Sequence, residues 1–248
     1  MVPIVAAIAI TISLIQQVPS TKSNTINPNL TKSNEPSSFN IPSPYVKEFL
    51  LPNGTWPNGI LVDREGAVWT AGTKSSDLIS LNAKNGKMKI YPIPHNASKE
   101  GNMVWAIVQA TDGSILFSGD AQNPLWRFDQ STEKFASIRS LGSAPFQMKV
   151  DRSNGNIWFT TLSPFAAGVI GVIQNASSGY QVKEFNLGNE TFPSGLSVDG
   201  DYVWITEAAA QKIVKFKAIT NPNGTVKDIE QILSISPESA NLFFATPY

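Results

Sequence analysis

Apolar positions along this chain fall in short runs of about five to eight residues, each closed by a polar turn pair, the pattern of strands joined by hairpins. The clearest example is Pro193-Ser-Gly-Leu-Ser-Val-Asp-Gly-Asp-Tyr-Val-Trp-Ile-Thr-Glu207: a strand, a tight turn, and a second strand carrying a tryptophan. The same pattern runs from Pro57 to Trp69 and from Pro145 to Trp158, with a degenerate copy from Trp105 to Phe117. The aromatics Trp69, Phe117, Trp158 and Trp204 are 48, 41 and 46 residues apart. An internal period of roughly 40–50 residues with several strands per unit predicts a β-propeller.

Each repeat offers four strands. The first is expected at 58–63, 67–71, 77–82 and 87–93, and the second at 104–110, 114–119, 124–129 and 133–138. The third is expected at 146–151, 156–161, 168–174 and 180–187, and the fourth at 194–199, 202–206, 211–217 and 225–233. Asn85-Gly86, Asp112-Gly113, Asn154-Gly155 and Asn223-Gly224 supply hairpin turns between them. Trp69, Trp158 and Trp204, mid-strand in their repeats, are expected in the core between blades.

The two ends extend the pattern. Tyr45–Leu51 repeats the text of Tyr180–Leu187, the last strand of its repeat, and so predicts an outer strand ahead of blade one. Ala240-Asn-Leu-Phe-Phe-Ala-Thr246 matches Gly155–Thr161 and predicts the second strand of a fifth repeat. The expected fold is all-β: a propeller of four-stranded antiparallel blades, four full plus a partial fifth, with an N-terminal outer strand. Four and a half blades predict part of a longer array, with a small irregular ring or completion by a second chain as alternatives.

Residues 2–15 carry no charge, too short for a comfortable span of about 20 residues but suited to a signal-peptide core. Residues 1–17 are therefore read as signal peptide or anchor, with a buried strand or helix as the alternative. Residues 18–44, rich in Ser, Thr, Asn and Pro, are read as a disordered tether, and 45–248 as the propeller. Export predicts an extracytoplasmic location, secreted or tethered to the cell surface, with membrane contact only through the N-terminal segment. Asn-x-Ser/Thr acceptor sites at Asn29, Asn53, Asn96, Asn175, Asn189 and Asn223 fit that location; the first lies in the tether and the others in expected loops.

Composition narrows the chemistry. Nineteen basic and nineteen acidic residues give zero net charge, so nucleic acid is not an expected partner. The absence of cysteine among 248 residues excludes disulfides, thiolate zinc sites and cysteine nucleophiles.

With the blade motif in hand, the chain resembles the virginiamycin B lyase (streptogramin lyase) family of propellers. Pro193–Glu207 followed by Gln211-Lys-Ile-Val-Lys-Phe216 follows that family's blade pattern nearly throughout, and Asn156-Ile-Trp-Phe-Thr160 its central part. The likeness covers about residues 45–246. It implies, at most, a lyase that opens a cyclic depsipeptide by elimination with a general base and a divalent cation such as Mg. The family's catalytic residues come largely from later blades, and the loop holding the one histidine, His95, does not match its catalytic segment. No catalytic residue is carried over.

A small molecule or surface partner is the expected ligand of such a channel mouth. Glu207 and Asp120 end second strands at nearly equivalent places and are candidates to share a cation there; the plain alternative is solvated or salt-bridged carboxylates beside Lys212 or Arg127. Trp56, Trp105, Phe146 and Phe192 begin innermost strands and are candidates to wall a pocket, or else to pack between blades. His95 reads as an ordinary loop residue. Asp151–Asn156 reads as a side-chain-stabilised turn, since a calcium loop would need a closing Glu that is missing. A purely structural cell-surface module is the third functional class.

Overall fold

The computed structural model describes residues 47–94, 104–119, 125–138, 142, 144–161, 167–176 and 179–236. Blade one is β1 (Pro57–Val62), β2 (Ala67–Gly72), β3 (Asp77–Asn82) and β4 (Met88–Pro92); blade two is β5 (Ile107–Gln109), β6 (Ile115–Ser118), β7 (Leu125–Asp129) and β8 (Lys134–Ile138). Blade three is β9 (Pro145–Val150), β10 (Ile157–Thr161), β11 (Gly168–Ala176) and β12 (Gly179–Gly188); blade four is β13 (Pro193–Asp199), β14 (Tyr202–Glu207), β15 (Lys212–Thr220) and β16 (Val226–Ile235). Each blade is an antiparallel sheet whose strands lie in sequence order. The expected all-β propeller of four blades is the fold observed, and all four sheets lie in the compact unit that begins at Phe49.

The innermost strands β1, β5, β9 and β13 touch in that order. Alternation along each strand sends one set of side chains forward to the next blade and the other set back. Three apolar cores result among the described residues. Trp69, Ala71 and Leu78 meet Phe117, Trp126 and Phe128 between blades one and two. Leu116 and Leu125 meet Met148, Ile157 and Phe159 between blades two and three. Trp158, Ile170 and Phe185 meet Leu196, Ile205 and Phe216 between blades three and four.

Polar clamps tie neighbouring blades near their hairpin turns. The Arg64 guanidinium donates to the carbonyls of Ala110 (2.9 Å) and Thr111 (3.1 Å) in blade two. Tyr180 of blade three donates to Asp112 of blade two at 2.9 Å. Gln174 of blade three accepts the Val226 N–H of blade four at 2.9 Å.

Two positions differ from the expectation. Counted from the turn glycines Gly66, Gly113 and Gly155, all with positive φ, the counterpart of Trp69 and Trp158 in blade two is Leu116, not Phe117. A shift of one residue reverses the face of a strand, and Phe117 accordingly packs backward against blade one while Leu116 packs forward. Trp204 does hold the tryptophan position, pairing with Ser197. It points forward from blade four, however, and joins none of the three cores. It is half-buried, and the Lys215 ammonium sits 5.0 Å from its ring centroid and 3.9 Å from that of Tyr202.

Of the leading segment, residues 47–51 are described and lie in no strand. Tyr45 and Val46, the N-terminal segment and tether, Asn29, His95, Asn96, Asp120 and the fifth-repeat residues 240–246 fall outside the described residues.

Candidate functional site

The starts of the innermost strands gather at one mouth. A Cβ on Gly59 in β1 would stand 3.8 Å from the Trp105 carbonyl oxygen and 3.2 Å from Ile107. Trp105 meets Phe146 edge-on at 5.6 Å. Gly168, at the start of β11, comes so close to Thr191 and Pro193 that any side chain there would clash.

Blades one and four build this end alike. Trp56 and Phe192 stand immediately before Pro57 and Pro193 with φ of 50° and 49°, in the left-handed region that non-glycine residues avoid. Each backbone carbonyl is held, Trp56 by the Thr73 N–H and Phe192 by the Ala208 N–H, both at 3.0 Å. Each innermost strand then slips register, at Asn58/Ile60 and at Pro193/Gly195. Such a conformation costs on the order of 1 kcal/mol, so it persists where surrounding bonds over-determine it. The result is an aromatic ring set at the strand's entrance.

Hydroxyls on the second strands fasten the same entrance. Ser118 Oγ accepts the N–H groups of Trp105 (2.7 Å) and Ala106 (3.0 Å). Thr206 Oγ1 accepts the Gly195 N–H at 2.8 Å and lies 3.0 Å from the Ser194 hydroxyl. Thr160 holds the equivalent position in blade three, with its hydroxyl buried and unpartnered among the described residues. Sequence reading passed over these hydroxyls, although Ser118, Thr160 and Thr206 all stand two residues past the forward-facing Leu116, Trp158 and Trp204.

Trp56 is 65 % and Trp105 40 % exposed, unusual for such large apolar groups. Trp56 is overlain by the Lys74 ammonium at 4.9 Å and lines a hollow of about 520 Å³ with Phe49, Leu51, Pro52 and Thr55. Phe146 and Phe192 are half-buried. The structure therefore brings Trp105 and Phe146 into contact at the mouth and seats Trp56 beside its own hollow.

Glu207 lies elsewhere. It ends β14 opposite Pro193, but its position is three past Trp204, so its side chain faces backward toward blade three. It is 7 % exposed and lines a cleft of about 370 Å³ formed with Phe185 and Leu187 of β12, Phe216 of β15, and Asp228 and Gln231 of β16. Burial pushes its carboxyl above the usual range, with the Lys212 ammonium opposing. The alternative partner weighed for it, Arg127, pairs instead with Asp112 (3.4 Å) and Asp129 (3.5 Å).

Asp151 behaves as a turn residue, its carboxylate accepting the N–H (2.9 Å) and hydroxyl (2.7 Å) of Ser153. Asn53, Asn175, Asn189 and Asn223 are exposed. Asn175 lies inside β11 rather than in a loop, because that strand runs two residues past its expected end. Among the described residues, no three His, Asp or Glu side chains converge as a metal-binding group.

No family model and no curated protein matches the chain. Among solved structures, a catalytically inactive histidine-to-alanine variant of virginiamycin B lyase from Staphylococcus aureus, with quinupristin, superimposes with a TM-score of 0.58 at 25% identity. The match covers 79% of this chain and 60% of that one, so this chain spans less than two thirds of the lyase's length. Selenomethionine-substituted virginiamycin B lyase from the same organism gives a TM-score of 0.45 at 21% identity, covering 76% and 72% of the two chains. Regucalcin from Agrobacterium tumefaciens, a calcium-binding protein, gives 0.47 at 16% identity, covering 71% and 58%. Blade motif, sheet order and superposition agree: the chain is a β-propeller similar to virginiamycin B lyase.

Proposed function

We propose that this chain is an extracytoplasmic propeller that binds a small molecule or surface partner at the mouth formed by Trp56, Trp105, Phe146 and Phe192. The observation that carries the reading is the pair of exposed rings at the strand entrances, Trp56 and Trp105, the first set by a left-handed residue that blade four repeats at the half-buried Phe192. Exposed rings held by strained backbone are expensive for stability alone, and rigid aromatics give a ligand area at little entropic cost. The uncharged apolar run near the N-terminus supports export, and the exposed Asn53, Asn189 and Asn223 suit glycan attachment.

Quinupristin, the compound in the similar lyase structure, is the first probe. Equilibrium titration of the full chain should saturate, and Trp105→Ala should weaken binding about tenfold, a loss of roughly 1.4 kcal/mol. Unsaturable binding, or affinity unchanged in Trp105→Ala, would sink the reading.

The second reading is a metal-dependent lyase, favoured by the likeness to virginiamycin B lyase. The described residues do not assemble a donor set for a cation, so no reaction step is derived from them. Incubating quinupristin with the full chain and Mg, and looking for a linearised product by mass spectrometry, separates lyase from binder.

A further inference from the structure

The cleft between blades three and four is a different place from the mouth, and the mouth reading does not use it. Phe185 and Phe216, 8 % and 5 % exposed, lie at its base, while most of the surface it presents is polar. Two carboxylates line it, Glu207 and Asp228, together with the amide of Gln231. Its volume of about 370 Å³ falls in the range of small-molecule sites.

Glu207 is the feature that asks for a ligand. More than nine-tenths of it is buried, and among the described residues its carboxylate accepts no hydrogen bond and forms no ion pair, with the Lys212 ammonium of the adjacent strand as its opposing charge. A carboxylate largely withdrawn from water costs stability unless it is closely paired. Here the free partner position is the cleft. The chain already places one cation against this wall: Lys183 donates to the Lys227 carbonyl and holds its ammonium 5.5 Å from the Phe185 ring centroid. An ammonium is attracted by a carboxylate and by an aromatic face alike.

We propose that this cleft binds an organic ammonium with an apolar tail, a primary alkyl- or arylalkylamine, with Glu207 as its counter-ion and Phe185 and Phe216 against the tail. Asp228 adds a second negative charge at the rim and disfavours carboxylate ligands. No covalent step is involved.

The test is calorimetric and NMR titration of the full chain with 2-phenylethylammonium, with 2-phenylethanol and 3-phenylpropionate as neutral and anionic controls of similar shape. The ammonium should saturate, the anion should not bind, and the alcohol should bind about tenfold more weakly. Shift changes should centre on Phe185 and Phe216, a readout that needs no variant. Glu207→Gln, checked for fold by circular dichroism, should reduce ammonium affinity about tenfold or more. Equal binding of the alcohol, binding indifferent to Glu207→Gln, shifts centred on Trp56 and Trp105, or no saturation by roughly 10 mM would each overturn the proposal.

Discussion

Trp69 donates its indole N–H to the Asp63 carboxylate at 2.7 Å, inside the core between blades one and two. The other Asp63 oxygen accepts the N–H groups of Glu65 (3.1 Å) and Ala67 (2.7 Å), which shape the turn between β1 and β2. One aspartate thus sets both the hairpin and the orientation of the aromatic that packs on the next blade. Replacing Asp63 by Ala strands a buried indole N–H and frees two turn amides, and should cost about 2–4 kcal/mol in urea unfolding. Trp69→Phe should cost less, and the double-mutant cycle should return a coupling of about 1 kcal/mol or more. Additive losses would mean that the two residues act independently.

The tryptophans at equivalent strand positions are not equivalent in energy. Trp158 is 1 % exposed between blades three and four, whereas Trp204 is half-buried on the forward face of blade four beneath Lys215. Trp158→Ala should therefore cost about 3–5 kcal/mol, and Trp204→Ala about 1–2 kcal/mol. Equal shifts in denaturant midpoint would show that Trp204 is packed as Trp158 is.

Tyr180 carries a proton-linked signature. Burial, and then the bond to Asp112, push its phenol up to about 12. A raised phenol favours the folded state fully below the unfolded value near 10, and that contribution disappears as pH climbs from about 10 to 12. In an ultraviolet titration of the five tyrosines, Tyr180 should ionise last, after Tyr91, which burial and Glu133 also raise, and Asp112→Asn should bring Tyr180 partway back. A single unsplit tyrosine titration would contradict the clamp between blades two and three.

Glu207 should show the opposite of a stabilising ion pair. Its carboxyl is raised by burial against an opposing Lys212, so holding the charged form at neutral pH costs stability. A raised carboxyl contributes stability present below its unfolded value and lost as pH rises through the folded one. Glu207→Gln should accordingly raise stability at pH 7, by under about 1 kcal/mol, and the gain should vanish in acid. A loss of stability at pH 7 would point to a hydrogen-bonded role for the carboxylate.

Much of this fold is legible in the chain because turn chemistry and alternation speak locally. The expected strand positions agree with the observed ones to within about three residues, since the turns through Gly66, Gly113, Gly155 and Gly224 end the strands they separate. Phe117 misled because aromatic size was matched instead of distance from the turn glycine. The direction of Glu207 was readable too: it lies an odd number of residues past Trp204 and must face the other way. The inter-blade cleft was not readable. It depends on how far β12 and β16 stand apart, and no local pattern encodes that spacing.

The mouth reading is tested most directly through the six tryptophan indole N–H resonances of the full chain. During titration with quinupristin, the signals of Trp56 and Trp105 should move and saturate together, while those of buried Trp69 and Trp158 stay fixed. If Trp56 and Trp105 remain still at saturating ligand, or if all six move alike, the exposed aromatics are not a binding wall.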